Sequence, residues 1–385
     1  MSDAPVVHID PAAFAADPWP DLARMRAQAP ICFVPELGAT LLTRRDDIWT
    51  QEKRVEVFSS HQPQGLMTRL MGENLMRKDG AAHQAERRAL FPALSPRTVA
   101  DTWAPLFRAA CAAVLDDLAP RGQADLVRDF AIPVSGAALC AITGLTTLTP
   151  REMDAVSQAM IDGCANYAGD AGVESRCQAA TAQIDAHIDR ALARHDTTPD
   201  CISVQRAAGL SDASLRANVK LVISGGQNEP RDAIAGTAHA LLTHPAALAA
   251  IREGRATWAQ AFDEYARWQA PIGMSPRRVA RADTVGGVRF EPEDRVFLMF
   301  GSAGRDEAHF TDPESYDIHR DTGPALPFGA GPHFCAGAPA ARTLICDVAL
   351  PMLFARLPGL RPAGQTRFHG WAFRGPVAVP VEWDA

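Results

Sequence analysis

The sequence predicts a mainly helical chain with a minor β-sheet, an α+β fold in one continuous domain spanning residues 1–385. Three observations predict it. Apolar positions recur at helical spacing over 102–118 and 151–194. Capping residues stand directly before proline at Ser95-Pro96 and Thr149-Pro150, and Glu152 completes a capping box with Thr149. Strand-like pieces are short and few.

In chain order, ICFVPELGATLLT (31–43) reads as the first strand-like piece, and helices follow over 102–118 and 151–194. Asp212 to Leu242 reads as one long helix. The remaining strand-like pieces are RRVARADTVGGVRF (277–290), RVFLMFGSA (295–303) and VAVPVEW (377–383). No repeat, linker or low-complexity run divides the chain.

Composition narrows the function classes. Hydrophobic residues make up 47 % and charged residues 22 %, with a net charge of −7 and no Lys/Arg run. That balance argues against a nucleic-acid binder and suits small-molecule chemistry. Eight cysteines form no C-x-x-C pair and no zinc-type spacing with histidine, and most lie in apolar helical sequence. They read as reduced core thiols. MSDAPVVHID carries no signal-peptide pattern, and AIPVSGAALCAITGL reads as too short and interrupted to span a bilayer. The expected location is the cytoplasm, with no membrane contact.

The most informative stretch is PFGAGPHFCAGAPAAR (327–342), where Cys335 stands just before an amphipathic helical pattern. A helix N-terminus favours thiolate over thiol. Gly329, Gly331 and Gly337 permit tight turns, while Phe328 and Phe334 offer an apolar wall. Such a thiolate suits a soft metal or haem iron. A structural cysteine and an acyl-transfer nucleophile are the competing readings.

Phe328, Gly331, Cys335 and Gly337 resemble the haem-binding loop of cytochromes P450, F-x-x-G-x-x-x-C-x-G. EYAR (264–267) resembles the family's E-x-x-R, and DPESYDIHR (312–320) its meander. The resemblance covers nearly the whole chain and implies the P450 fold, haem b and Cys335 as the thiolate ligand to iron. It implies a folding clamp of Glu264, Arg267 and Arg320. It also implies that His83 and Arg87 of HQAER, Arg278 of RRVARAD, and His333 hold the two haem propionates.

The distal helix departs from the family's A-G-x-(Asp/Glu)-Thr. It reads ISGGQNEPRDAIAG, with Gly225 and Gly226 at the small pair, Asn228 at the acid position and Glu229 at the threonine position. Pro230 lacks the N–H that would bond the Gly226 carbonyl, so a kink is expected there. Glu229 is the candidate for proton delivery and Asn228 for orienting water. The bland reading pairs Glu229 with Arg231 or Arg77.

G-G-x-N-E-P-R-D and GWAFRGP (370–376) resemble a bacterial branch that oxidises small aromatics, including aryl-ether O-demethylases. The implied reaction is monooxygenation by O2, with electrons from a separate flavin and iron–sulfur reductase or a ferredoxin pair. Leu66, Met67 and Met71 read as an apolar lid. Ile223, Gly226, Ile272, Met274 and Phe373 read as pocket wall, and plain core packing is the competing reading. Alternatives are a peroxide-using peroxygenase, a non-catalytic haem ligand binder, and a haem-free hydrolase using Cys335.

Overall fold

The computed structural model describes residues 2–167, 169–194 and 198–384. It is mainly helical with a minor sheet component, as the local signals predict. The chain forms two compact units, each assembled from separated segments. One comprises the residues up to Gln62, Thr243–Cys335 and Arg367–Val377; the other comprises Pro63–Leu242, Ala336–Thr366 and the residues from Ala378.

The first unit is built on a five-stranded sheet ordered Ile31–Val34, Ala39–Leu42, Arg295–Leu298, Ser275–Val279 and Phe58–Ser59. Ala39–Leu42 is buried throughout and pairs in parallel with Arg295–Leu298, setting Thr40 opposite Val296. A strand covered on both faces needs such a run without polar alternation. The predicted strand over 295–303 stops at Leu298, because Phe300–Ala303 turns into a short helix.

The second unit is a helical core. Helices Pro150–Cys164, Ala171–Leu192 and Asp212–Ser224 contribute Val156, Met160, Ile184, Ile188, Val219 and Ile223 to one buried cluster. Thr149 caps the first of these, with its hydroxyl accepting the Glu152 N–H and Glu152 accepting the Thr149 N–H. The predicted helical stretch 151–194 is thus two helices, and position 168 lies outside the described residues. A small sheet places Pro380–Glu382 between Gln123–Asp125 and Arg361–Pro362.

Two results correct the sequence reading. The apolar segment around Cys140 is longer than expected, since Leu126–Thr143 is one continuous helical run with mean hydropathy 1.4. Ala338–Arg356 likewise has bilayer-crossing length and composition. Burial of 67 % and 56 % of these two windows inside the protein accounts for their apolar character. The long helix expected over 212–242 is interrupted: Asp212–Ser224 ends at Gly225, and Asn228–Thr243 begins after Gln227. Pro230 therefore sits in the first turn of a new helix, where no N–H is required, and not in a kinked interior.

Candidate active site around the Cys335 loop

The loop that carries Cys335 is held by its own backbone. Gly329 and Gly331 adopt φ of 71° and 63°, left-handed values that other residues rarely take. Gly329 donates to the Leu326 carbonyl at 3.0 Å, and Cys335 donates its N–H to the Phe328 carbonyl at 2.9 Å. The rings of Phe328 and Phe334 lie 6.3 Å apart, and Phe328 also packs on Phe262 at 6.1 Å. Phe262 belongs to the helix Trp258–Gln269, so the clamp helix supports the loop directly. Helix Ala338–Arg342 starts three residues after Cys335, with Gly337 as its N-cap.

That same helix carries the clamp. The Arg267 guanidinium donates to both Glu264 oxygens, from Nε and Nη2, at 2.7 Å each. Its other contacts are the carbonyls of Gly304, Pro313 and Ser315 at 2.8–2.9 Å. Glu264 also accepts the Asp317 N–H at 2.9 Å and Arg320 Nε at 3.1 Å. Both members of the central pair are fully buried. This geometry closes a charge pair only because every remaining donor finds an acceptor.

The other candidate residues fall into distinct settings. His83 is buried on helix Gly80–Leu94 with Arg87 half-buried one turn later, and His333 is half-buried on the cysteine loop. Arg278 is turned away from the buried side of its strand. It donates to the His61 carbonyl at 2.8 Å and pairs with exposed Glu293. Strand alternation instead buries its neighbour Arg277, 3.5 Å from Glu52, whose carboxylate accepts the Ala330 N–H in the cysteine loop. Neither Arg277 nor Glu52 is marked by any local motif.

The distal segment is locked by polar side chains. Asn228 Oδ1 lies 2.7 Å from the Ser157 hydroxyl, and its amide donates to Gln158 at 2.8 Å. Its side chain is thus tied to helix Pro150–Cys164. Arg231 donates to Asp154 at 3.0 Å and Asp232 at 2.8 Å, so it does not neutralise Glu229. Both Glu229 carboxylate oxygens are buried and meet no hydrogen-bonding partner beyond the residue's own backbone N–H. Burial pushes its carboxyl up to about 8, with its own N–H pulling down, Asp232 pushing up and Arg231 pulling down. The acid is therefore protonated at neutral pH.

The apolar candidates divide likewise. Ile272 and Phe373 face each other across an antiparallel bridge, and Met274 is buried beside them in sequence. Met67, Met71 and Ile223 belong to the helical core cluster, packed with Leu139 and Met160. Leu66 is half-buried at the start of that helix. Gly226 leaves no space for a side chain: a Cβ there would stand 3.0 Å from Leu139 Cδ1 and 2.5 Å from the Val222 carbonyl.

The donor set fits a haem. Among the described residues no group of three or more His, Cys, Asp and Glu could hold a metal ion, so Cys335 offers a single-point ligand. A porphyrin, which brings its own four nitrogens, needs no more than that. Burial pushes the thiols of Cys32, Cys111 and Cys140 up to about 12, and Cys335 stands half-buried on a glycine-rich turn.

Comparison with known proteins points the same way. The family model described as Cytochrome P450 matches residues 258–353, which contain both the clamp and the cysteine loop. The chain is 29 % identical over 355 residues to "Putative cytochrome P450 YjiB" of Bacillus subtilis, covering 89 % of this chain and 88 % of that one. It is 30 % identical over 358 residues to "C-19 steroid 1alpha-hydroxylase" of Sorangium cellulosum, covering 89 % of each. Among solved structures, that of CYP109E1 from Bacillus megaterium in complex with testosterone superposes with a TM-score of 0.87 at 21 % identity, covering 98 % of this chain and all of that one.

Proposed function

The chain belongs to the cytochrome P450 family, and from that premise we propose that it inserts one atom of O2 into a small aromatic substrate, by hydroxylation or O-demethylation of an aryl methyl ether. As a family member it is a monooxygenase that acts on small organic molecules and uses haem b with a cysteine thiolate ligand. The observation that carries the reading is the Cys335 loop, turned by Gly329 and Gly331 and braced by Phe262 of the clamp helix.

Bound haem supplies the dioxygen activation that side chains cannot provide. Overall, substrate RH, O2, two electrons and two protons give ROH and water. Cys335 Sγ would hold the haem iron and supply electron density to it. His83, Arg87 and His333 are assigned to the two carboxylates, and Arg278 joins them only by leaving Glu293. Glu229 holds a proton on its carboxyl at neutral pH and is assigned to deliver it toward the reacting oxygen. Asn228 fixes the start of the helix that carries Glu229.

The substrate class is supported by the apolar pair Ile272 and Phe373. Three tyrosines in the whole chain leave little for a phenol-lined polar pocket. The Sorangium relative favours a second reading, a steroid-sized alicyclic substrate. Electrons are assigned to a separate NAD(P)H-dependent reductase or ferredoxin pair, and the cytoplasm is the proposed location.

Two measurements test this. The reduced, carbon-monoxide-treated protein should show the red-shifted thiolate band, and Cys335→Ser should lose it. Methoxyaromatics and steroids, titrated side by side, should give the low-to-high-spin shift with the aromatics. A shift with steroids alone moves the assignment to the second reading. Product formation with hydrogen peroxide and no reductase would instead favour a peroxygenase.

A further inference from the structure

We propose that Glu52 is a positioning residue for Cys335: its carboxylate, anchored by Arg277, grips the backbone of the cysteine loop and sets the electron affinity of the group that the thiolate holds. The inference rests on the haem–thiolate reading and adds a residue that no P450-type motif in the sequence marks.

Glu52 follows helix Arg45–Gln51 and is 2 % exposed. Its carboxylate accepts the N–H of buried Ala330 and lies within 3.5 Å of the equally buried Arg277. The fit is tight: a Cβ on Gly329 would come within 2.8 Å of Glu52 Oε1, so the left-handed glycine and the acid require one another. The second oxygen, Oε2, is buried without a hydrogen-bonding partner. Leaving a carboxylate oxygen so exposed to desolvation is costly for a purely structural tie, and an amide would serve that tie as well. Cys335 hangs from the same loop through its N–H to the Phe328 carbonyl, so the position of Ala330 is transmitted to the sulfur over a few bonds.

The charge of Glu52 is adjustable. Burial pushes its carboxyl up to about 7, against the pull of Arg277, the Ala330 N–H and Lys53. The charged groups around it are Arg277 from the strand Ser275–Val279 and Lys53 beside it in sequence. Arg278 faces Glu293 instead. Above about pH 7 the carboxylate is negative and opposes electron uptake at the nearby centre.

The test is potentiometric, on the haem-loaded protein across pH. The wild-type reduction potential should fall as pH rises through the titration of Glu52. Glu52→Gln should abolish that step and hold the potential near the wild-type acid-side value at every pH. Arg277→Gln, which removes the cation that lowers Glu52, should move the step to higher pH. A wild-type step retained by Glu52→Gln overturns the proposal. If Glu52→Gln does not hold haem, an unmoved step in Arg277→Gln overturns it. Failure of the underlying reading is seen separately, as a wild-type carbon monoxide complex without the red-shifted band.

Discussion

Replacing Glu264 by glutamine tests the clamp most sharply. The substitution keeps shape and leaves an acceptor oxygen, but removes the charge that faces Arg267 and Arg320. Removing one partner of a buried ion pair costs ~3–5 kcal/mol. Arg267 retains three carbonyl acceptors, at Gly304, Pro313 and Ser315, which places Glu264→Gln at the lower end. A loss of about 3 kcal/mol lowers the folded-to-unfolded ratio by roughly 100-fold. Arg320→Gln should cost less, ~1–2 kcal/mol, because Arg320 reaches one Glu264 oxygen from the rim while the central pair persists. Urea unfolding of the haem-loaded proteins, followed by circular dichroism and haem absorbance, measures both, provided the two probes coincide and m is unchanged. A Glu264→Gln protein within about 1 kcal/mol of wild type, or an Arg320→Gln protein less stable than it, would refute the reasoning.

Other outcomes follow from the same structure. Glu229 is raised from 4.5 to about 8, so the native state binds a proton that the unfolded state has released, and stability should fall as pH rises across that interval. Glu229→Gln should flatten the dependence and stabilise the protein by up to a few kcal/mol at the alkaline end, read by urea unfolding at several pH values. Asn228→Ala should cost about 1 kcal/mol, since Ser157 and Gln158 each lose one partner and keep another, at the Ile223 carbonyl and Arg231, and wild-type stability would dismiss the lock. Gly273→Ala would drive a Cβ into the Trp371 carbonyl. It should break the neighbouring Ile272–Phe373 bridge and weaken substrate binding at least tenfold, measured by the spin-state titration, a loss of about 1.4 kcal/mol.

Where the sequence was legible, the signal was local. The capping box at Thr149 and Glu152, the glycine turn before Cys335 and the Glu264–Arg267 spacing each place their partners within a few residues. The interruption at Gly225–Gln227 was also written locally, in two glycines and a proline, but a proline reads alike as an interior kink or a first-turn residue until the helix start is known. The choice between Arg277 and Arg278 depends on which strand face is covered, and a one-residue offset reverses it. Met67 and Met71 have lid-like composition, and only their contacts with a helix about a hundred residues later make them core. Glu52 was invisible because its partners lie more than 220 residues away.

The small sheet of the second unit has a consequence for biosynthesis. Its middle strand, Pro380–Glu382, is separated from its partner Gln123–Asp125 by some 255 residues. At about 5–20 residues per second on the ribosome, Gln123–Asp125 waits roughly 13–50 s before that pairing partner exists. Arg361–Pro362 pairs with the same late strand, so both edges close together once that strand emerges. A stop codon before Pro380 therefore leaves two unpaired strand segments open to aggregation, and the nascent chain needs chaperone cover longest there.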